Sequence, residues 1–128
     1  MKYLLDAQGL IWFLAGDARL SGNALACIQD TRNALFVSPA TLWEIGIKDS
    51  LGKLVLPERF EKLFPAKLEA SSILILPILM EHLHQHRLLP YHHNDPFDRL
   101  VIAQALAEEM TLISCDPEFP AYGVKLLW

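Results

Sequence analysis

Five short runs in this chain are apolar at nearly every position, not at every second one: Tyr3-Leu4-Leu5, Leu35-Phe36-Val37-Ser38, Ile73-Leu74-Ile75-Leu76, Thr111-Leu112-Ile113-Ser114 and Val124-Lys125-Leu126-Leu127. Strands of that kind are buried on both faces, and such strands belong to parallel sheets covered by crossover helices. The intervening segments read as those helices. Leu10, Phe13 and Leu14 recur at helical spacing before Gly16-Asp17 turns the chain, and Ser21 caps a second helix running to about Arg32. Pro39 and Thr41 open a third helix that carries Glu44 and Lys48 toward Gly52. Pro57 suits the first position of another, with Phe60, Leu63 and Phe64 on one face and Pro65 ending or kinking it. Residues 80–87 and 96–110 complete the set, the last with Pro96 in its first turn and Asp98 near its positive end. The expected fold is α/β, a central parallel sheet flanked by helices on both faces in three layers.

At 128 residues the chain has room for one domain, residues 1–128, and no linker, repeat or low-complexity tract divides it. Hydrophobic residues make up 52% and charged residues 20%, which excludes disorder and leaves an apolar excess that a partner-facing surface would explain. The net charge of −4 gives no basic field for nucleic acid, so a polyanion would have to be met by local cations or metal ions. Cys27 and Cys115 form neither a disulfide framework nor a four-ligand zinc pattern, and Asp6 interrupts the opening run before it reaches signal-peptide length. The longest apolar run, Ile73 to Met80, is broken by Pro77. A soluble, cytoplasmic protein with no membrane segment is the expectation.

In doubly covered parallel sheets ligands collect beyond the carboxyl ends of the strands. Asp6 and Asp116 follow strand runs almost directly, Glu44 lies shortly after the second, and Asp98 opens the helix that precedes the fourth. Taken singly, each has a plain explanation: Asp6 and Asp116 as turn residues, Asp98 as a dipole-satisfying carboxylate, Glu44 as the i,i+4 partner of Lys48. Taken together they crowd negative charge at one sheet edge, which a divalent cation with a preference for oxygen ligands would relieve.

The ordered blocks Leu4-Leu5-Asp6, Ser38-Pro39-Ala40-Thr41-Leu42-Trp43-Glu44-Ile45, Gly52-Lys53-Leu54, Asp95-Pro96-Phe97-Asp98-Arg99-Leu100-Val101-Ile102-Ala103-Gln104-Ala105 and Ser114-Cys115-Asp116 resemble the PIN domain, most closely the VapC-type toxins of toxin–antitoxin pairs. The resemblance runs essentially from end to end. It implies a metal-dependent endoribonuclease with Asp6, Glu44, Asp98 and Asp116 as its acidic catalytic site, binding one or two Mg²⁺ or Mn²⁺ ions and leaving a 5′-phosphate and a 3′-hydroxyl. It further implies a homodimer and an antitoxin segment laid in a hydrophobic groove. These toxins usually carry Thr or Ser after the first aspartate, whereas this chain reads Ala7-Gln8, removing a hydroxyl that would orient a ligand or water. That departure supports the alternative of a PIN-like protein that binds RNA or a partner without cutting. A receiver-type signalling domain is disfavoured, because Asp6 lacks an acidic neighbour and Lys125 lies inside the last strand run.

Other residues invite weaker readings. Arg99 beside Asp98 either clamps a substrate phosphate or bridges to a carboxylate, the second being the plainer, and Lys48 and Lys53 are possible backbone contacts for RNA. Asp95 before Pro96 reads as a turn builder. His82, His84 and His86 on one helix, with His92 and His93 beyond, suggest zinc, but neither cysteine is near in sequence, and surface histidines at the rim of an RNA site fit better. Cys115 reads as a small buried residue, and Trp12, Phe13, Trp43 and Phe60 as core with some part facing a partner.

Overall fold

The computed structural model describes residues 1–128. Five strands, β1 (Lys2–Leu5), β2 (Ala34–Val37), β3 (Ile73–Ile75), β4 (Thr111–Ile113) and β5 (Leu126–Leu127), form one sheet in the order β3-β2-β1-β4-β5, every pair parallel. The helices are α1 (Ala7–Ala15), α2 (Gly22–Gln29), α3 (Pro39–Ser50), α4 (Phe60–Leu63), α5 (Ala66–Ala70), α6 (Met80–Leu88) and α7 (Pro96–Glu108), with a 3₁₀ turn at Pro120–Tyr122. No helix is long and apolar enough to cross a membrane.

Alternate strand residues point to opposite faces, and here both faces are apolar. Tyr3, Leu5, Leu35, Val37, Ile73 and Ile113 join Leu10, Ile11, Ala24, Ile28, Ile45, Leu63 and Leu68 in one core, which α1 to α5 cover. Leu4 and Leu112 join Val101, Ile102, Ala105, Phe119 and Val124 in the other, beneath α7. This is the three-layer arrangement that the unbroken apolar runs imply.

Several boundaries differ from expectation for local reasons. The second helix stops at Gln29, because the Asp30 carboxylate takes the Arg32 N–H at 3.0 Å and turns the chain. No helix starts at Pro57: residues up to Arg59 stay non-helical, α4 begins at Phe60, and Pro65 separates it from α5. The final strand is shorter than its apolar run, with Lys125 contributing one carbonyl to Leu112 N at 2.8 Å just before it.

Candidate active site

All four acidic residues lie at the C-terminal edge of the sheet. Asp6 directly follows β1, is 8% exposed, and caps α1 by accepting the Gly9 N–H at 2.7 Å. Its own N–H donates to Ile113 O at 3.3 Å, tying the ends of β1 and β4. Gly9 is there for room: a Cβ at that position would lie 3.0 Å from Asp6 Oδ1. Glu44 is buried on α3 and its Oε2 meets Lys48 Nζ at 3.1 Å. Asp98 sits in the first turn of α7, with its Oδ2 at 2.8 Å from His93 Nε2. Asp116 lies just beyond β4, its N–H on Ser114 Oγ at 3.1 Å and its Oδ1 accepting from Glu118 N at 2.9 Å.

Mutual repulsion shows that these groups share one region. Burial above all pushes the Asp6 carboxyl up to about 6, with the charges of Asp116 and Glu44 adding to it and hydrogen bonds from Ser114 and Gly9 opposing it. Burial likewise raises Asp98 to about 6, opposed by the His93 bond and reinforced by Asp95, Glu44 and Asp116. The His93 imidazole is raised in turn, chiefly by its hydrogen bond to Asp98. The donor set is all oxygen, partly dehydrated and short of positive charge, which suits a hard divalent cation.

Position 7 is Ala, and the hydroxyl at the acidic edge comes instead from Ser114. Its hydroxyl accepts the Asp116 backbone N–H at 3.1 Å, and its influence on Asp6 opposes the rise of that carboxyl. Gly9, His93 and Ser114 are therefore the site residues that sequence reasoning missed. A glycine early in a helix was the one visible trace of the first.

Arg99 needs correction. It is 2% exposed and neither faces the site nor bridges to a carboxylate; its guanidinium donates to the carbonyls of Pro90 at 2.8 Å, Leu89 at 3.3 Å and His93 at 3.4 Å, and stacks on Tyr91. Consecutive helical residues do not share a face, so adjacency to Asp98 carried no spatial meaning. Lys48 is half-exposed and engaged with Glu44, while Lys53 is exposed. Asp95 caps α7, accepting from Phe97 N at 2.8 Å and Asp98 N at 3.2 Å.

His82 is fully buried, and Nδ1 accepts the Leu79 N–H at 3.0 Å. A neutral ring then carries its proton on Nε2, facing Glu108 Oε1 at 2.9 Å, and offers no lone pair to zinc. Cys115, contrary to expectation, is exposed, since it lies past the end of β4 and outside the strand alternation. Its thiol is pushed up by partial burial and by the charges of Asp6 and Asp116, which disfavours a thiolate nucleophile.

Trp12 packs against Trp128, Phe60 against Phe64, and Trp43 alone of these aromatics stands 67% exposed, edge-on to Phe97 with ring centroids 5.2 Å apart. Trp43 borders a cleft of about 310 Å³ lined also by Ile78, Leu83, Phe97 and Leu100, none of them one of the four acidic residues. A recess of about 320 Å³ around Asp30, Asn33 and Leu35 lies at the opposite sheet edge and touches none of the four acidic residues.

A family model described as the PIN domain matches residues 3–125. The chain belongs to the PIN domain family. Within it, this PIN domain is 34% identical over 70 residues to Ribonuclease VapC16 of Mycobacterium tuberculosis, an alignment covering 52% of this chain and 48% of that protein. The match thus spans about half the length of the curated relative. Among solved structures, VapBC2 from Rickettsia felis bound to a DNA fragment from its promoter superposes with TM-score 0.72 at 17% identity, covering 99% of this chain and 98% of that one. FitAcB from Neisseria gonorrhoeae gives 0.66 at 16%, covering 98% and 96%, and VapBC-1 from nontypeable Haemophilus influenzae gives 0.64 at 16%, covering 99% and 97%. At those identities the likeness establishes the PIN fold.

Proposed function

We propose that this PIN domain is a metal-dependent endoribonuclease acting as the toxin of a toxin–antitoxin pair. The observation that carries the reading is the convergence of Asp6, Glu44, Asp98 and Asp116 at one sheet edge, with Asp6 and Asp98 both held near 6 by burial and by one another's neighbours. Asp6, Asp98 and Asp116 would hold one or two Mg²⁺ or Mn²⁺ ions, with Glu44 as a further ligand or as orienter of the attacking water. Bound ions supply an activated water and neutralise charge on the phosphoryl oxygens and the leaving alkoxide. The chain's own part is to fix these carboxylates through Gly9, Ser114 and His93, and to keep them partly dry. Ser114, whose Oγ accepts the Asp116 N–H at 3.1 Å, brings a hydroxyl to the acidic edge that Ala7 does not supply.

The relative named a ribonuclease, 34% identical over about half of each chain, supports RNA as substrate. The apolar cleft beside Trp43 supports a protein partner, either an antitoxin segment or a second copy of the chain. The test is incubation of purified protein with a mixed RNA pool, with and without Mn²⁺ or Mg²⁺, beside Asp98→Asn. Cleavage that needs metal and vanishes in the variant is expected. Cleavage unaffected by the variant, or by chelation, would sink the acidic-site mechanism.

A further inference from the structure

The connection from α6 to α7, residues 89–95, is a surface loop whose backbone is bonded at Leu89, Pro90 and His93 by side chains from outside it. Arg99 reaches back from α7 and takes the carbonyls of Pro90, Leu89 and His93, and its Nη1 also meets Tyr122 Oη at 3.3 Å. Tyr122, arriving from the 3₁₀ turn beyond β4, accepts the His93 N–H at 2.8 Å and donates to His93 O at 3.3 Å. His93 thus has its N–H and its C=O fixed by side chains from two different elements. A loop that merely joins two helices does not require this, and burying a guanidinium with no carboxylate partner is unfavourable unless its donors are all used. The consequence of the pinning is visible at the other end of the residue: the imidazole is delivered to Asp98, Nε2 to Oδ2 at 2.8 Å.

We propose that His93 is a positioning residue for Asp98, its Nε2–H holding the carboxylate in one orientation for cation binding, with Arg99 and Tyr122 fixing the His93 backbone so that the imidazole reaches it. This rests on the functional reading above, in which Asp98 is a metal ligand. Metal-binding carboxylates depend on such outer hydrogen bonds, whose loss typically weakens binding about 10–100-fold. The role differs from that of a ligand. A positioning donor can be replaced by any N–H at the same place, whereas a ligand nitrogen cannot be replaced by an amide N–H.

The experiment is Mn²⁺ binding by calorimetry and by the electron paramagnetic resonance of free ion, on the parent chain, His93→Ala, His93→Gln and Tyr122→Phe, each first checked for cooperative unfolding. His93→Ala should bind Mn²⁺ about 10–100-fold more weakly. His93→Gln, which keeps an N–H donor of similar reach, should recover most of that loss, and Tyr122→Phe should fall between parent and His93→Ala. Binding by His93→Ala as tight as the parent's, or tighter, overturns the proposal. Equal weakening in His93→Gln and His93→Ala overturns it too and makes the ring a ligand or a charge. A parent chain that binds no Mn²⁺ removes both this proposal and the metal-site reading, while a parent that binds Mn²⁺ but cuts no RNA removes the ribonuclease reading and leaves the role of His93 to be decided by the variants.

Discussion

Replacing Asp6 by Asn should stabilise the metal-free protein while abolishing its cation binding. Asp6 is buried and its carboxyl is raised from the ordinary 3.8 to about 6. Because the folded pKa lies above the unfolded one, the folded chain holds the proton more tightly; that contribution is fully present below 3.8 and is lost as pH rises through 6. A displacement of about two units corresponds to about 3 kcal/mol at 1.36 kcal/mol per unit, the upper bound for keeping the ionised group in place. Asparagine retains an oxygen for the Gly9 N–H and is as good an N-cap, but carries no charge and so loses the attraction to the helix dipole. The net gain expected at pH 8 in chelator is therefore about 1–3 kcal/mol, or roughly 4–12 °C in Tm at about 4 °C per kcal/mol. Urea unfolding of parent and variant from pH 4 to 8 measures it, and the gap should shrink as pH falls through 6 and close near 4. Saturating Mn²⁺ should reverse the order, since free ion at about 100 times Kd stabilises the parent alone by roughly 2.7 kcal/mol. A variant less stable than the parent at pH 8, or a gap that ignores pH, would refute the idea that the site is electrostatically strained without its cation.

Other perturbations follow from the same geometry. Arg99→Met should cost about 3 kcal/mol or more in urea unfolding, because the carbonyls of Leu89, Pro90 and His93 lose their donors together, and Arg99→Lys should recover little because an ammonium cannot span them. Gly9→Ala, which at an open helical site would add up to about 1 kcal/mol of stability, should instead leave Tm unchanged or lower and weaken Mn²⁺ binding several-fold, as the methyl meets Asp6 Oδ1 at 3.0 Å. His82→Ala should destabilise by about 2–3 kcal/mol in the same assay, because the Leu79 N–H loses its acceptor and a buried ring is deleted.

The parts of this molecule legible from sequence are those that depend on neighbours along the chain. Runs such as Tyr3-Leu4-Leu5 announce a strand covered on both faces because Leu4 and Leu5 enter different cores, and the residue after such a strand must emerge at the sheet's edge. Lys48 meets Glu44 because four residues make one helical turn. The same rule separates Arg99 from Asp98, since consecutive residues of α7 point different ways around the helix. The role of Ser114 arises from the alignment of β1 with β4, and that of His93 from Tyr122, which is 29 residues away, so neither leaves a local signature. Cys115 and the start of α4 failed at irregular backbone, where neither a period of two nor one of 3.6 applies.

The four acidic residues also explain why a chain of net charge −4 can hold such a cluster without a buried lysine or arginine at its centre. Parallel strands end where the following helices begin, so Asp6 caps the positive end of α1 and Asp98 lies in the first turn of α7, each gaining a partial opposite charge from backbone N–H groups. Glu44 takes its compensation from Lys48, and Asp116 from the N–H of Glu118. Each group is thus met singly, from its own segment, and nothing among these partners neutralises the set. Arg99, the buried cation nearest in sequence, is committed to carbonyls instead. The repulsion that remains adds to the burial that lifts Asp6 and Asp98, and on the proposed reading a divalent ion held at this edge would relieve it. On that reading, affinity for the ion is built from stability withheld in its absence, so variants that relax the cluster should trade cation binding for fold stability along the whole set.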